Sequence, residues 1–195
     1  MYRCIVGIIR VLVLLIWGLD VEGAENIPET SGAIIAGNHT SFLDPVLLAV
    51  AIKRPIHFMG KAELFRHPFL KWLFSSLNAF PVKRGQTDRQ AIRTSQERVS
   101  EGHLLGIFPE GTRNKTEHDL LPIQGGVALI ALKSGVPVLP AVVSKGERRG
   151  LRRPFRVVFG APIDLGGPKK ANKVDVARGS EVISAQFRSL LGRNN

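Results

Sequence analysis

The chain has 195 residues, enough for one α/β domain with a substantial core and too short for two full domains to be expected. Its 27 Lys and Arg residues against 16 Asp and Glu residues give a formal charge of +11, which predicts a polyanionic partner, either nucleic acid or an anionic membrane. The densest basic cluster, 145–156, lacks RNA-recognition aromatics, zinc-finger spacing and helix-turn-helix signatures, so we expect membrane lipid and no nucleic acid. The single cysteine, Cys4, excludes an internal disulfide, and a cytoplasmic location fits.

The N-terminal segment is apolar. The run from Ile5 to Leu19 is interrupted by Arg10 and is shorter than the roughly 20 residues that span a bilayer. On a helix, Arg3, Gly7 and Arg10 share one narrow stripe and apolar side chains cover the remainder. This pattern predicts a helix lying in the membrane interface, with a core helix of the domain and a cleaved signal peptide as the open alternatives.

Short apolar runs bounded by glycine and proline alternate with helical patterns along the remaining chain. Leu19 to Gly23 is typical of a strand start, and buried strands are predicted at 32–37, 56–59, 104–108, 136–143 and 156–159. Helices are predicted from Asp44-Pro45 onward and at 69–77, 90–99, 127–132 and 181–191. The alternation predicts an α/β fold with a mixed, mostly parallel sheet flanked by helices. We therefore divide the chain into an N-terminal membrane-associating helix, 1–19, and a single domain, 20–195.

A first polar cluster, 38–44, follows the strand predicted at 32–37. The carboxyl ends of strands gather functional groups in sheets of this kind, and His39 lies there with Asp44 five positions later. A solvent-accessible histidine oriented by a carboxylate can remove a proton from a hydroxyl group. Ser41 is the only nearby residue that could act instead as a covalent nucleophile.

A second polar cluster, 108–114, follows the strand predicted at 104–108. Gly111 lets the backbone approach a ligand, and Arg113 carries a planar donor fork suited to phosphate. An ordinary turn with a surface salt bridge is the alternative. His57, His67, His103 and His118 lack metal-like spacing, so we interpret them as structural or surface residues and expect no metal.

Together the two clusters resemble the glycerolipid acyltransferase family, in particular its 1-acylglycerol-3-phosphate acyltransferases. That family carries an Asn-His-x-Ser-x-x-Asp block and a Phe-Pro-Glu-Gly-Thr-Arg block in this order, and both are complete here, at 38–44 and 108–113. Two further blocks match more loosely, 80–85 and 136–140. One departure is Gln124, where relatives commonly carry a lysine. The departure puts one phosphate contact in doubt.

The resemblance implies His39 as the general base and Asp44 as its partner. It implies these substrate-binding residues: Arg84, Glu110, Gly111, Thr112, Arg113 and Lys61. No cofactor is implied. The implied reaction transfers a fatty acyl group from acyl carrier protein or coenzyme A to lysophosphatidic acid, at the cytoplasmic face of the cell membrane, by a peripheral or monotopic protein. Alternatives are glycerol 3-phosphate or a lyso-aminolipid as acceptor, or a membrane-binding module without catalysis.

Overall fold

The computed structural model describes residues 1–83, 85, 88–116, 120–150, 152–167 and 170–192. The helices are α1 (Tyr2–Ile16), α2 (Asp44–Ala51), α3 (Pro68–Ser76), α4 (Arg89–Ser100), α5 (Gly126–Ser134) and α6 (Lys173–Gly192). The strands are β1 (Leu19–Glu22), β2 (Ala33–Gly37), β3 (Ile56–Lys61), β4 (Ala79–Val82), β5 (Leu104–Ile107), β6 (Val138–Lys145) and β7 (Phe155–Phe159). Short 3₁₀ helices cover Ala24–Asn26 and Ala62–Phe65.

The seven strands form one sheet in the order β1-β7-β6-β2-β5-β3-β4. Strands β2 to β6 run parallel to one another, as the predicted βα alternation requires, because parallel neighbours need crossover connections. Strand β7 reverses direction against β6, and β1 pairs with β7 in parallel. The carboxyl ends of β2 to β6 therefore meet at one edge of the sheet, which we call the carboxyl edge.

Two hydrophobic clusters cover the two faces of the sheet. Val13 of α1 and Leu47 and Leu48 of α2 belong to the cluster on one face. Side chains of α5 and α6, including the fully buried Ile183 and Phe187, belong to the cluster on the other face. Strand β2 is buried along its whole length between these layers, since it lies at the centre of the sheet. The apolar runs predicted as buried strands thus form a three-layer α/β domain.

Helix α1 crosses one face of the domain from end to end. The backbone N–H of Ile56, at the start of β3, donates to the hydroxyl of Tyr2, whereas the carbonyl of Gly18 accepts from Phe155 at the carboxyl edge. One side of α1 packs on the core through Tyr2, Val6, Ile9 and Val13. The opposite side remains exposed and carries Cys4, Ile8, Val11 and Leu15. Among the described residues, no helix has the length and apolarity needed to cross a bilayer.

The predicted elements are present, with two differences. Strand β4 was not predicted, because Pro81 lies inside it and proline cannot donate to a ladder. It is tolerated there because β4 is an edge strand. Helix α6 begins at Lys173, eight positions before the predicted start at 181, since its first turns are polar and contain Gly179. A Cβ on Gly179 would lie 3.1 Å from the Cβ of Ala128, so the glycine allows close packing on α5.

His57 makes the free energy of unfolding depend on pH. Burial, followed by the repulsion from His103 and Arg98, lowers the pKa of His57 from 6.5 to about 4. Between these two pH values the unfolded chain binds the proton that the folded chain refuses, so stability falls as the pH is lowered from 6.5 toward 4. We expect His57→Gln to flatten this decline, measured by urea unfolding at pH 7, 5.5 and 4.5.

The exposed His67 supplies the matched control for that measurement. The variant His67→Gln should follow the wild-type decline, because it retains His57 in its buried position. Parallel pH profiles for wild type and His57→Gln would show that His57 does not contribute.

Candidate active site

The two polar clusters converge at the carboxyl edge of the sheet. His39 lies two residues after β2, and Glu110 lies three residues after β5, the strand paired with β2. Both buried strands deliver their following residues to the same place, as predicted for parallel neighbours. Five polar residues of the two clusters are buried, so each requires hydrogen-bond partners. They are Asn38, His39, Asp44, Glu110 and Asn114.

Asp44 orients the ring of His39. The ring Nδ1 of His39 lies 3.1 Å from Oδ2 of Asp44. The same oxygen accepts the backbone N–H groups of Thr40 and Ser41, each at 2.7 Å. Asp44 occupies the first turn of α2, where the helix dipole favours a carboxylate. The other ring nitrogen, Nε2, makes no hydrogen bond to any residue in the described part of the chain. It is therefore the ring nitrogen that a substrate could contact.

The backbone of His39 is fixed by the second cluster. Its N–H donates to Oε1 of Glu110 at 2.7 Å, and its carbonyl accepts the N–H of Asn114 at 2.6 Å. The other carboxylate oxygen of Glu110 accepts the N–H of Leu121 at 3.0 Å. Glu110 is 4% exposed, and both of its oxygens already bind backbone. Glu110 therefore holds three segments together, and the substrate-binding role that the resemblance implies for it stays a prediction.

Aromatic rings contact the side chains of His39 and Arg113. The ring of Phe108 stacks on the imidazole of His39, with centroids 4.2 Å apart and an interplanar angle of 25°. This stacking reduces the exposure of His39 to 7%, less than the solvent-accessible histidine predicted from the sequence. The guanidinium of Arg113 lies 3.5 Å from the ring centroid of Phe42, which is itself 75% exposed. A cation–π contact thus holds Arg113, on the loop after β5, against the loop that carries His39.

The side-chain amide of Asn38 takes the place of a backbone hydrogen-bond pair between β2 and β6. Its side-chain amide accepts the N–H of Val143 at 2.7 Å and donates to the carbonyl of the same residue at 3.1 Å. An amide provides both donor and acceptor, so it satisfies β6 where the β2 backbone turns away. The turn brings His39 out of the sheet. Sequence reasoning identified Asn38 as part of a block but assigned it no function.

Other predicted site residues lie farther out. Lys61 ends β3, which is separated from β2 by β5, so about 10 Å of sheet lies between the two strands. Its Nζ lies 3.6 Å from Oε1 of Glu63 in an exposed pair. Thr112 is exposed beside Gly111, which adopts a φ of +70° that favours glycine. Arg84 and His118 lie outside the described residues. Within the described residues, no three His, Cys, Asp or Glu side chains gather as metal ligands would.

The geometry is that of a general base beside a cation. Nδ1 of His39 is held by a carboxylate, which selects the tautomer and leaves Nε2 to accept a proton. Arg113 supplies a fixed positive charge on the neighbouring loop. Phe108 and Phe42 were missed as site residues, yet both lie inside the two polar clusters. Their positions within those clusters were the available signal.

Comparisons with known proteins agree on one family. A family model described as Acyltransferase matches residues 18–144. A 1-acyl-sn-glycerol-3-phosphate acyltransferase of Bacillus subtilis is 31% identical over 167 residues, covering 84% of this chain and 82% of that protein. A lyso-ornithine lipid O-acyltransferase of Pseudomonas aeruginosa is 36% identical over 109 residues, covering 55% of this chain and 41% of that protein.

A solved structure supports the same fold. The crystal structure of the 1-acyl-sn-glycerophosphate acyltransferase from Thermotoga maritima superimposes with a TM-score of 0.70 at 25% sequence identity. The match covers 97% of this chain and 80% of that chain. The predicted single α/β domain with a mixed, mostly parallel sheet is thereby confirmed.

The two hydrogen bonds accepted by the Glu110 carboxylate can be tested by measuring the free energy of unfolding. In Glu110→Gln the amide nitrogen cannot accept a hydrogen bond, so one N–H, of the buried His39 or the half-buried Leu121, loses its partner. An unsatisfied buried donor costs about 1 to 3 kcal/mol, and we expect a loss of this size in urea unfolding. Glu97→Gln, at a solvent-exposed i,i+4 pair with Arg93, should change stability by less than about 0.5 kcal/mol. Equal losses of stability in the two variants would contradict this role of the Glu110 carboxylate.

Proposed function

We propose that this chain, which belongs to the acyltransferase family, transfers a fatty acyl group from a thioester donor to the free sn-2 hydroxyl of 1-acyl-sn-glycerol 3-phosphate. The donor is acyl carrier protein or coenzyme A carrying the acyl chain, and the product is phosphatidic acid. The observation that carries the proposal is the His39–Asp44 pair, buried beside a loop that presents Arg113. A base for the hydroxyl and a cation for the phosphate then lie on adjacent loops.

His39 acts as the general base in the proposed reaction. Its Nε2 takes the proton from the acceptor hydroxyl while the hydroxyl oxygen attacks the thioester carbonyl. The carbon–sulfur bond then breaks, and the imidazolium returns the proton to the departing thiolate sulfur. The acyl group ends on the acceptor oxygen, so no covalent enzyme intermediate is required. Support for direct transfer comes from Ser41, whose Oγ accepts the N–H of Leu43 at 3.2 Å within its own loop.

Asp44 stabilises the imidazolium without taking its proton. A proton on Oδ2 of Asp44 would displace the N–H groups of Thr40 and Ser41, which both donate to that oxygen. The carboxylate therefore remains the acceptor of Nδ1–H while the positive charge forms on His39. Stacking of Phe108 on the imidazole adds a steric restraint on ring rotation, so Nε2 keeps facing the site.

Arg113 binds the phosphate of the acceptor in this proposal. Its guanidinium fork matches phosphate oxygens in a bidentate arrangement, and the contact with Phe42 limits the conformations it must lose on binding. Gly111 and Thr112 add backbone and hydroxyl groups on the same loop, and Arg84 and Lys61 complete the proposed binding residues. Glu110 acts indirectly, by positioning the backbone of His39.

The acceptor has a competing candidate within the family. The Pseudomonas aeruginosa relative is named for a lyso-ornithine lipid, an acceptor that carries no phosphate. The Bacillus subtilis relative, which matches more of this chain, is named for 1-acyl-sn-glycerol 3-phosphate. Greater coverage and the half-buried cation Arg113 on the loop beside His39 favour the phosphate-bearing acceptor.

The location we propose is the cytoplasmic face of the cell membrane, with the protein bound as a peripheral or monotopic protein. The outward side of α1 supports this proposal, because Ile8, Leu12 and Leu15 are 63%, 50% and 63% exposed. Arg3 and Arg10 border this side, where they can meet lipid phosphates while the apolar residues meet acyl chains. The membrane would also supply the lysolipid acceptor.

The proposed general base and its carboxylate partner are tested by substituting His39 and Asp44 separately. We expect His39→Ala to lower kcat/KM for phosphatidic acid formation by about three orders of magnitude or more, and Asp44→Asn to lower it by at least about tenfold. Purified proteins would be assayed in mixed micelles with acyl carrier protein and coenzyme A thioesters. The exposed His67→Gln should keep wild-type activity. Equal activity of His39→Ala and wild type would refute the mechanism.

The role of Arg113 is tested with two acceptors. We expect Arg113→Gln to reduce kcat/KM for 1-acyl-sn-glycerol 3-phosphate by about tenfold or more, because a charge-assisted hydrogen bond contributes about 1.5 to 3 kcal/mol. The same variant should affect a lyso-ornithine acceptor much less. The matched control is Arg93→Gln on the exposed side of α4. A parallel loss on both acceptors would argue against a phosphate contact.

A further inference from the structure

A second group of large apolar side chains lies outside the core at α3. Leu64 in the 3₁₀ helix before α3, and Phe69 and Trp72 on α3, are 38%, 60% and 54% exposed. The rings of Phe69 and Trp72 contact each other with centroids 6.0 Å apart, and no residue of α3 is buried. We call these three side chains the α3 patch. Contiguous exposed apolar groups of this kind mark a binding surface in soluble domains.

Basic residues border the α3 patch. Arg66, His67 and Lys71 are exposed on the same segment. Within the described part of the chain, neither Arg66 nor Lys71 lies in an ion pair, whereas the neighbouring Glu63 pairs with Lys61. Tryptophan and phenylalanine beside unpaired cations match the interfacial region of an anionic bilayer, where rings enter the headgroup layer and cations meet phosphates.

The topology brings the α3 patch and α1 to opposite flanks of the candidate active site. Strand β3 ends at the carboxyl edge, so the segment from Lys61 to the start of α3 lies beyond the strands that deliver His39 and Glu110. Helix α1 reaches the same edge at the far side, where Leu19 pairs in register with Phe155. Its last exposed ring, Trp17, lies 5.9 Å from Phe155.

Both surfaces also belong to one face of the sheet. The crossovers from β2 to β3 and from β3 to β4 step in the same direction along the strand order. Right-handed crossovers then put α2 and α3 on the same face, which is the face where α1 packs on the core shared with α2. A single flat surface can therefore meet the outer side of α1 and the α3 patch together.

We infer that the α3 patch inserts into the interfacial layer of an anionic bilayer, as a second contact in addition to α1. The two contacts fix the orientation of the domain, so that the carboxyl edge that carries His39 lies between them and faces the lipid. A lysolipid then reaches the site without leaving the bilayer surface. The inference extends the membrane association proposed for α1, but vesicle binding measures it without any catalytic step.

The two tryptophans of the chain provide a reporter on each surface, since Trp17 ends α1 and Trp72 lies in the α3 patch. In Trp17→Phe only Trp72 remains. We expect its emission to shift to the blue on adding phosphatidylglycerol–phosphatidylcholine vesicles, and to be quenched by lipids brominated along the acyl chains. Protein that sediments with the vesicles while its Trp72 emission stays unshifted and unquenched would overturn the inference.

A paired substitution tests the energetic contribution. Phe69→Ser with Trp72→Ser should weaken partitioning into these vesicles by about tenfold or more, because two large apolar side chains lose their burial in lipid. Val174→Ser with Val182→Ser is the matched control, since both valines are exposed on α6, on the opposite face of the sheet. The control should bind within about twofold of wild type, and circular dichroism verifies folding of both variants. Unchanged vesicle binding of the first variant would overturn the inference.

The outcomes separate this inference from the proposed function. Insertion of Trp72 without acyl transfer would refute the proposed function and support the α3 contact. Acyl transfer by a protein whose Trp72 remains in water would support the proposed function and refute the α3 contact. If the Phe69 and Trp72 substitutions left vesicle binding intact but abolished binding of an acidic carrier protein, the α3 patch would be a protein interface and the inference would be wrong.

Discussion

The candidate active site depends on the carboxylate of Glu110. One of its oxygens binds the backbone N–H of His39, and the other binds that of Leu121, so a single buried side chain joins β2, β5 and the loop after β5. Asn114 then binds the carbonyl of His39, which leaves neither backbone group of the histidine free to reorient. The low exposure of this carboxylate strengthens these bonds, because water does not compete for its oxygens. The side chain of His39, although it follows the strand in a loop, is in this way fixed to the sheet.

Polar groups at the carboxyl edge are satisfied in layers. Asn38 pairs with Val143 in the sheet, and Glu110 and Asn114 pair with the backbone of His39. The carboxylate of Asp44 accepts the N–H groups of the two residues that follow His39. Each layer removes a cost that burial would otherwise impose. After these pairings, Nε2 of His39 remains without a hydrogen-bond partner among the described residues. It is the atom through which His39 would act in the proposed reaction.

Much of the fold follows from the sequence, because buried parallel strands have a strong local pattern. The runs at 32–37 and 104–108 are apolar and bounded by glycine or polar turns, and the residues that follow neighbouring parallel strands must meet. The pairing of His39 with Asp44 was also predicted, since five positions across a strand-to-helix turn bring the two side chains together. Strand β4 was missed because its stability comes from pairing with β3, which outweighs the unfavourable Pro81.

The orientation of the loop side chains could not be predicted. Glu110 turns inward because its partners, His39 and Leu121, arrive from distant parts of the chain, and a local pattern contains no information about them. The stacking of Phe108 on His39 and of Arg113 on Phe42 has the same origin, because each contact joins the two clusters. Sequence blocks thus identify which residues gather, whereas tertiary contacts decide which of their side chains are buried against the backbone and which are exposed.

The two outer strands of the sheet have a further consequence for the behaviour of many copies together. Strands β1 and β4 have four residues each; β1 carries Asp20 and Glu22, paired with Arg149 and Arg156, and β4 carries Pro81. Short strands with charges or proline offer few aligned N–H and C=O groups to a strand from another molecule. Copies of the chain that meet at high concentration can therefore collide without adding strand to strand, so these two edges oppose aggregation through the sheet.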